Sequence, residues 1–300
     1  MEKTLHQRRL EYMNYRKGLT YKQQTRLSQF EKGFQGECIM NNILKRYVYK
    51  NWLIMHNVNL KTPLGFVQID FLLISNYSVY ILEVKNYFCD CHYKNHTWYI
   101  NEDQELAKNI SYQIRQSELH LKYILGEQVN IYPCILFVNE MYQAILIDQP
   151  DEKVVNGWQI PLFLSQIEPN KNFHITEKIR NEVLKYENTN ADYFFMDEKW
   201  ELPYQRGIYC ARCYCFTLEK RHKSFYCQSC GFIEKKKECA ERLIEECSVL
   251  FLEKYLTIRG VCELSGYQLN RQGISKLLSN KCKRIYRGRY TKYLNPYWRN

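Results

Sequence analysis

Two short apolar runs stand out in the hydropathy pattern of the chain: Gln68-Ile69-Asp70-Phe71-Leu72-Leu73-Ile74 and Val79-Tyr80-Ile81-Leu82-Glu83-Val84-Lys85. Both are rich in branched and aromatic residues, and Ser75-Asn76-Tyr77-Ser78 parts them as a hairpin loop would. This predicts two neighbouring, largely buried strands. Upstream, Ile39, Ile43, Leu44 and Tyr47 recur at helical spacing, residues 52–58 predict a first strand, and Pro63-Leu64-Gly65 a turn into the hairpin. Downstream, residues 86–92 and 97–100 predict extended segments. Residues 105–125 predict a helix, with Leu106, Ile110, Ile114, Leu121 and Leu125 apolar and Gly126 as its stop. Residues 131–139 and 144–147 read as further strands, and 160–167 and 175–185 as closing helices. This order implies an α/β fold, a mixed sheet flanked by helices.

Charged residues interrupt the apolar pattern where burial makes them expensive. Glu83 and Lys85, two apart on a strand, point to one face, and Asp70 approaches them if the strands pair. Two carboxylates beside an amine would make a divalent-metal site next to a fixed positive charge; an ion pair at a strand end is the plainer reading. Glu37 follows Gly33-Phe34-Gln35-Gly36 at the expected start of a helix. Capping is its modest reading, and a third acidic group for the site the sharper one. Asn109 and Gln113 lie one turn apart and share a polar helix face. Cys89, Cys91, His92 and His96 read better as an alternating strand than as a metal cluster, because Cys-x-Cys spacing is poor for one.

Three hundred residues suggest about two domains of ~150 residues each. No apolar run approaches the ~20 residues of a membrane span, and the first residues lack the apolar core of a signal peptide. A cytoplasmic protein is therefore expected, with its 13 cysteines reduced. The net charge of +11 is unevenly spread: residues 1–30 carry +5, residues 199–300 carry +12, and the centre is acidic. An acidic centre between basic ends suits a metal-dependent site acting on a polyanion, although solvated surface charge has the same signature.

Cys210-Ala211-Arg212-Cys213 and Cys227-Gln228-Ser229-Cys230 are paired Cys-x-x-Cys knuckles, a spacing that fits four thiolates around Zn²⁺ as in a zinc ribbon. With four cysteine ligands the site is closed and structural. Residues 235–255 predict one helix. Residues 257–264 and 268–278 resemble a helix-turn-helix around Gly266, with Asn270, Arg271, Ser275 and Lys276 on the second helix; any small helical pair with a glycine turn has this pattern too. The tail, with Lys283, Arg284, Arg287 and Arg289 among interleaved tyrosines, suits phosphate contact with stacking, or a packed β-wing.

Taken in order, Gly33-x-x-Gly36-Glu37, Gln68-Ile69-Asp70, Glu83-Val84-Lys85-Asn86-Tyr87, Trp98, and Asn109 with Gln113 resemble the nuclease-related domain, NERD, grouped with the restriction-endonuclease-like PD-(D/E)xK fold. The resemblance covers about residues 30–145. It departs from the family at Ile110, where proline is usual, and at Tyr87-Phe88-Cys89, which lacks a following glycine. It implies that Asp70 and Glu83 hold Mg²⁺ (or Mn²⁺), that Lys85 orients the attacking water or stabilises the phosphate, and that Glu37 and Gln113 complete the site. The expected organisation is a basic arm over 1–30, a nuclease-like domain over 31–190, a zinc ribbon over 203–235 and a basic helical module over 236–300. The linker is expected at 188–192, with the boundary between there and Pro203. The expected function is metal-dependent hydrolysis of nucleic acid, DNA foremost. A DNA-binding protein with an inert nuclease-like scaffold, and a protein-docking module, are the alternatives.

Overall fold

A mixed five-stranded sheet forms around the two apolar runs. The computed structural model describes residues 1–106, 109–188, 204–286 and 291–298, which divide into two units. One comprises Met1 and Gln29–Ala191, the other Glu2–Ser28 and Asp192–Asn300. Among the described residues no helix is long and apolar enough to cross a membrane.

The chain opens with helices Leu5–Tyr15 (α1) and Tyr21–Leu44 (α2). Thr20 and Gln23 cap α2 reciprocally: the Gln23 amide donates to Thr20 Oγ1 at 3.3 Å and the Thr20 amide to Gln23 Oε1 at 2.9 Å. With that cap the helix starts sixteen residues before Glu37, so Glu37 is not a capping residue. The strands of the first unit are Leu53–Thr62 (β1), Gly65–Ser75 (β2), Ser78–Lys85 (β3), Cys91–Lys94 (β4), Thr97–Ile100 (β5), Gln104–Glu105 (β6), Asn130–Phe137 (β7), Ala144–Leu146 (β8) and Lys153–Asn156 (β9). Its later helices are Ile110–Leu125 (α3), Ile160–Gln166 (α4) and Phe173–Leu184 (α5).

The main sheet has the order β1-β2-β3-β7-β9; β1, β2 and β3 are antiparallel, while β3, β7 and β9 run parallel. Period-two alternation sends Phe71, Leu73, Leu82, Val84 and Leu136 to one face with Met40 and Leu44 of α2 and Leu164 of α4. Leu72, Ile74, Val79, Ile81 and Ile135 go to the other face with Ile114 and Leu121 of α3 and Val183 of α5. A second sheet, β6-β5-β4-β8, carries buried Trp98, whose indole N–H donates to Ser111 Oγ at 2.9 Å. The strand expected at 144–147 forms over Ala144–Leu146 and pairs with β4, and the main-sheet edge is β9, too short to show alternation. The extended segment after Lys85 becomes a strand only from Cys91.

In the second unit α1 packs with helix Lys236–Phe251 (α6) through Arg16 and Glu246, both fully buried. Arg16 donates to Glu246 at 2.6 and 3.1 Å and also to the Gln205 and Gly207 carbonyls. Strands Leu218–Lys220 (β10), Ser224–Cys227 (β11) and Ile233–Lys235 (β12) form an antiparallel sheet bearing the cysteine knuckles. After α6 come Tyr255–Leu256 (β13), Ile258–Leu264 (α7), Arg271–Lys281 (α8), Arg284–Tyr286 (β14) and Lys292–Leu294 (β15), with sheet order β13-β15-β14. The helix expected over 235–255 ends at Phe251, where Leu252 adopts a left-handed conformation, φ 46°.

Gly36 sets the distance between α2 and the end of β3. A Cβ at Gly36 would lie 2.8 Å from Asn86 Cβ and 3.4 Å from Val84 Cγ1, while Asn86 Nδ2 donates to the Lys32 carbonyl at 2.9 Å. Gly36→Ala is expected to destabilise the fold by about 1–3 kcal/mol, the usual range for overpacking; a denaturant midpoint equal to that of the wild type would remove this role.

Candidate functional site

The carboxyl end of β3 gathers the charged residues that interrupt the apolar pattern. The β2–β3 ladder pairs Phe71 with Leu82, and one residue further Asp70 stands beside Glu83. Asp70 Oδ2 accepts from the Val84 amide at 2.9 Å, which ties the carboxylate to the neighbouring strand. Glu83 is buried; its Oε1 accepts from Lys85 Nζ at 2.6 Å, and its Oε2 has no hydrogen-bond partner. Lys85 Nζ also donates to Gln113 Oε1 of α3 at 3.2 Å. Glu37 comes from α2, close enough for its charge to be felt by both Glu83 and Asp70. Asp70, Glu83, Lys85, Gln113 and Glu37 thus come together; Asn109, expected to share the polar face of Gln113, caps α3 by accepting from the Tyr112 amide at 3.2 Å.

Burial, then the Glu83 charge, pushes the Glu37 carboxyl up to about 7. Burial and Glu83 also raise Asp70 well above the usual carboxylate range, against the opposing effect of Lys85. Burial alone would lower the Lys85 pKa, but Glu83 and Asp70 reverse this and hold it above its ordinary value. Lys85 is therefore a fixed cation at neutral pH, while the Asp70 and Glu37 carboxyls hold their protons more readily than free ones. A buried oxygen without a partner and three acids facing one amine form a donor set suited to a divalent cation with oxygen preference. The acids are not drawn tight: among the described residues, only four cysteines have three or more candidate ligand atoms all within 4.8 Å of one another.

The tight group is Cys210, Cys213, Cys227 and Cys230. Cys210 and Cys230 sulfurs lie 3.6 Å apart and Cys213 and Cys227 sulfurs 3.5 Å apart. A tetrahedral site with metal–sulfur bonds of about 2.3 Å has sulfur–sulfur edges of about 3.8 Å, so the four thiols fit a metal ion. Cys89, Cys91, His92 and His96 form no such group.

On the second unit, Asn270, Arg271, Lys276 and Arg284 line one groove with Gln272, Ser275 and Ser279. Asn270 is the N-cap of α8, its Oδ1 accepting from the Gln272 amide at 2.9 Å, and is thereby removed from the second helix where it was expected. Lys283 is exposed but does not line the groove, and Arg287 and Arg289 lie outside the described residues. Gln272 and Ser279 were not singled out from sequence, although their spacing from Ser275 and Arg271 places them on one helical face. Three arginines near the amino terminus are engaged internally: Arg8 with Glu245 and Tyr297, Arg9 with the Leu250 carbonyl, and Arg16 with Glu246.

A carboxylate–lysine cluster at the end of a central strand in a mixed sheet is an arrangement suited to hydrolytic metal chemistry. Residues 32–138, which contain the whole cluster, match the family model described as nuclease-related domain, NERD. No curated protein and no solved structure matches the chain.

In the metal-free protein the raised carboxyls make stability depend on pH. Glu37 binds its proton more tightly folded than unfolded, so its favourable contribution is complete below about 4.5 and is lost as pH rises through about 7. Glu37→Gln should flatten that decline, worth about 2 kcal/mol after solvent screening. Denaturant midpoints of the two proteins across pH 4–8 check this; parallel curves would exclude it.

Proposed function

We propose that the first unit hydrolyses phosphodiester bonds of nucleic acid, DNA foremost, as a metal-dependent nuclease of the PD-(D/E)xK type. The observation that carries this reading is the convergence of Asp70, Lys85 and Glu83, with its unpartnered oxygen, inside the region matching the nuclease-related domain. Asp70 and Glu83 would hold Mg²⁺ or Mn²⁺, with Glu37 as a third acid. Such an ion lowers the pKa of bound water and offsets charge on the phosphate.

The chain's own groups then have distinct roles. Val84 N–H fixes the Asp70 carboxylate in place. Glu83 Oε1 and Gln113 Oε1 together orient the Lys85 ammonium. Held charged, Lys85 cannot take a proton from water and acts instead on the negative charge that accumulates on phosphate oxygens. Glu37, close enough to feel the Glu83 charge, completes the acidic set. In the second unit we assign Zn²⁺ to the four cysteines of a ribbon-like three-stranded module. The basic module beyond it is assigned to gripping the substrate.

Plasmid and single-stranded DNA incubated with Mg²⁺ or Mn²⁺ test the catalytic role. Asp70→Ala, Glu83→Ala and Lys85→Ala should each lower cleavage by about a hundredfold or more. DNA binding without cleavage, indifferent to these changes, would leave an inert scaffold. For the cysteines, native mass spectrometry should find one zinc per chain, absent in Cys227→Ser but retained in Asp70→Ala. Stripping it should lower the melting temperature, because metal binding and local folding are coupled.

A further inference from the structure

The order helix, strand, helix, turn, helix and two-stranded wing in α6, β13, α7, α8, β14 and β15 presents α8 with one face buried and one free. Ile274, Leu277 and Leu278 are buried, while Arg271, Gln272, Ser275, Lys276 and Ser279 follow one another at helical spacing on the other side. That side borders a shallow groove of about 940 Å³, closed at one edge by Arg284 of β14. Arg284 donates to Ser279 Oγ, which ties the wing to the helix.

We infer that α8 enters the major groove of double-stranded DNA, with Arg271 and Lys276 on phosphates and Gln272 and Ser275 facing the bases. The inference rests on the nucleic-acid reading above and narrows it to a duplex of B form.

Three observations favour this occupant. First, the face is cationic, and among the described residues no ion pair compensates Arg271 or Lys276. No Asp or Glu follows Glu263 in the chain, Glu263 itself pairs with Arg259 at 2.7 Å, and Glu241 pairs with Lys281 at 3.4 Å. Second, the dimensions match. An eleven-residue helix is about 16 Å long and 10–12 Å across, and the B-form major groove is about 12 Å wide. The major groove of duplex RNA is too deep and narrow for side chains to read. Third, the groove has no aromatic lining, whereas single strands are held largely by stacking. Tyr293, counted among the interleaved aromatics of the tail, is buried, and Tyr297 accepts from Arg8. Arg and Lys at helix positions that meet phosphates and guanine, and Gln where it meets adenine, are the side chains this geometry uses.

Fluorescence anisotropy on the full-length, zinc-loaded chain tests it. An Asp70→Asn background without added Mg²⁺ keeps the probes intact. The probes are 24-base-pair duplex DNA of mixed sequence, one of its strands alone, and duplex RNA of the same sequence, each titrated from 50 to 300 mM salt. Duplex DNA is expected to bind at least tenfold tighter than either other probe. Arg271→Ala with Lys276→Ala should reduce the slope of log affinity against log salt by about two, the value for two lost phosphate contacts. Both side chains are exposed, and unchanged zinc content and melting temperature would show that the double variant folds. Equal affinity for the single strand or the RNA, or a wild-type salt slope in the double variant, overturns the inference. Cleavage by the wild-type chain, and its loss in Glu83→Ala, is read separately, so failure here and failure of the nuclease reading are distinguishable.

Discussion

A carboxylate buried beside another carboxylate constrains the first unit more than any apolar contact does. Glu83 lies between Leu82 and Val84, whose side chains fill the face shared with α2. Taking a charge out of water costs several kcal/mol unless partners compensate it. Lys85 compensates one oxygen of Glu83 and leaves the other bare. Asp70, fixed by the Val84 amide, is a second acid and Glu37 of α2 a third, and burial with the Glu83 charge raises both carboxyls. An arrangement of this kind lowers stability in the absence of a cation. The proposed metal site rests on this gathering of acids with raised carboxyls around one ammonium.

The close approach of α2 follows from the same requirement. Glu37 can be felt by Glu83 only if the helix runs against the end of β3, and Gly36 with Asn86 makes that approach sterically possible. Helix, strand end and α3 each contribute polar groups from different parts of the chain. The β3–α3–β7 connection places the start of α3 near the carboxyl end of β3, where Gln113 meets Lys85. Sites at the carboxyl ends of parallel strands exploit this geometry in many α/β sheets.

In the second unit, net charge is a poor guide to which cations face outward. Arg16 and Arg242 have carboxylate partners at Glu246 and Glu234, and Arg8 pairs with Glu245. These arginines hold the unit together and add little to a surface potential. Among the described residues no ion pair involves Arg271 or Lys276, which stand on an exposed helix face. The uncompensated cations thus fall where acids are missing, and no acid follows Glu263 in this sequence.

Sequence by itself determined the central hairpin, because two branched apolar runs around a four-residue break have one economical way to bury themselves. It also determined the four-cysteine group, since knuckle spacing is a local property, and it singled out Asp70, Glu83 and Lys85 because charges are conspicuous inside apolar runs. It misplaced what depends on distant partners. The start of α2 moved to a Thr20–Gln23 cap that outweighs two interior glycines. Three amino-terminal arginines went to partners inside the protein. The resemblance had named Glu37 and Gln113 with the strand pair, but only the tertiary structure decided how they reach it, because helix position and helix-to-sheet distance arise from packing across the whole unit and leave no periodic trace in the chain.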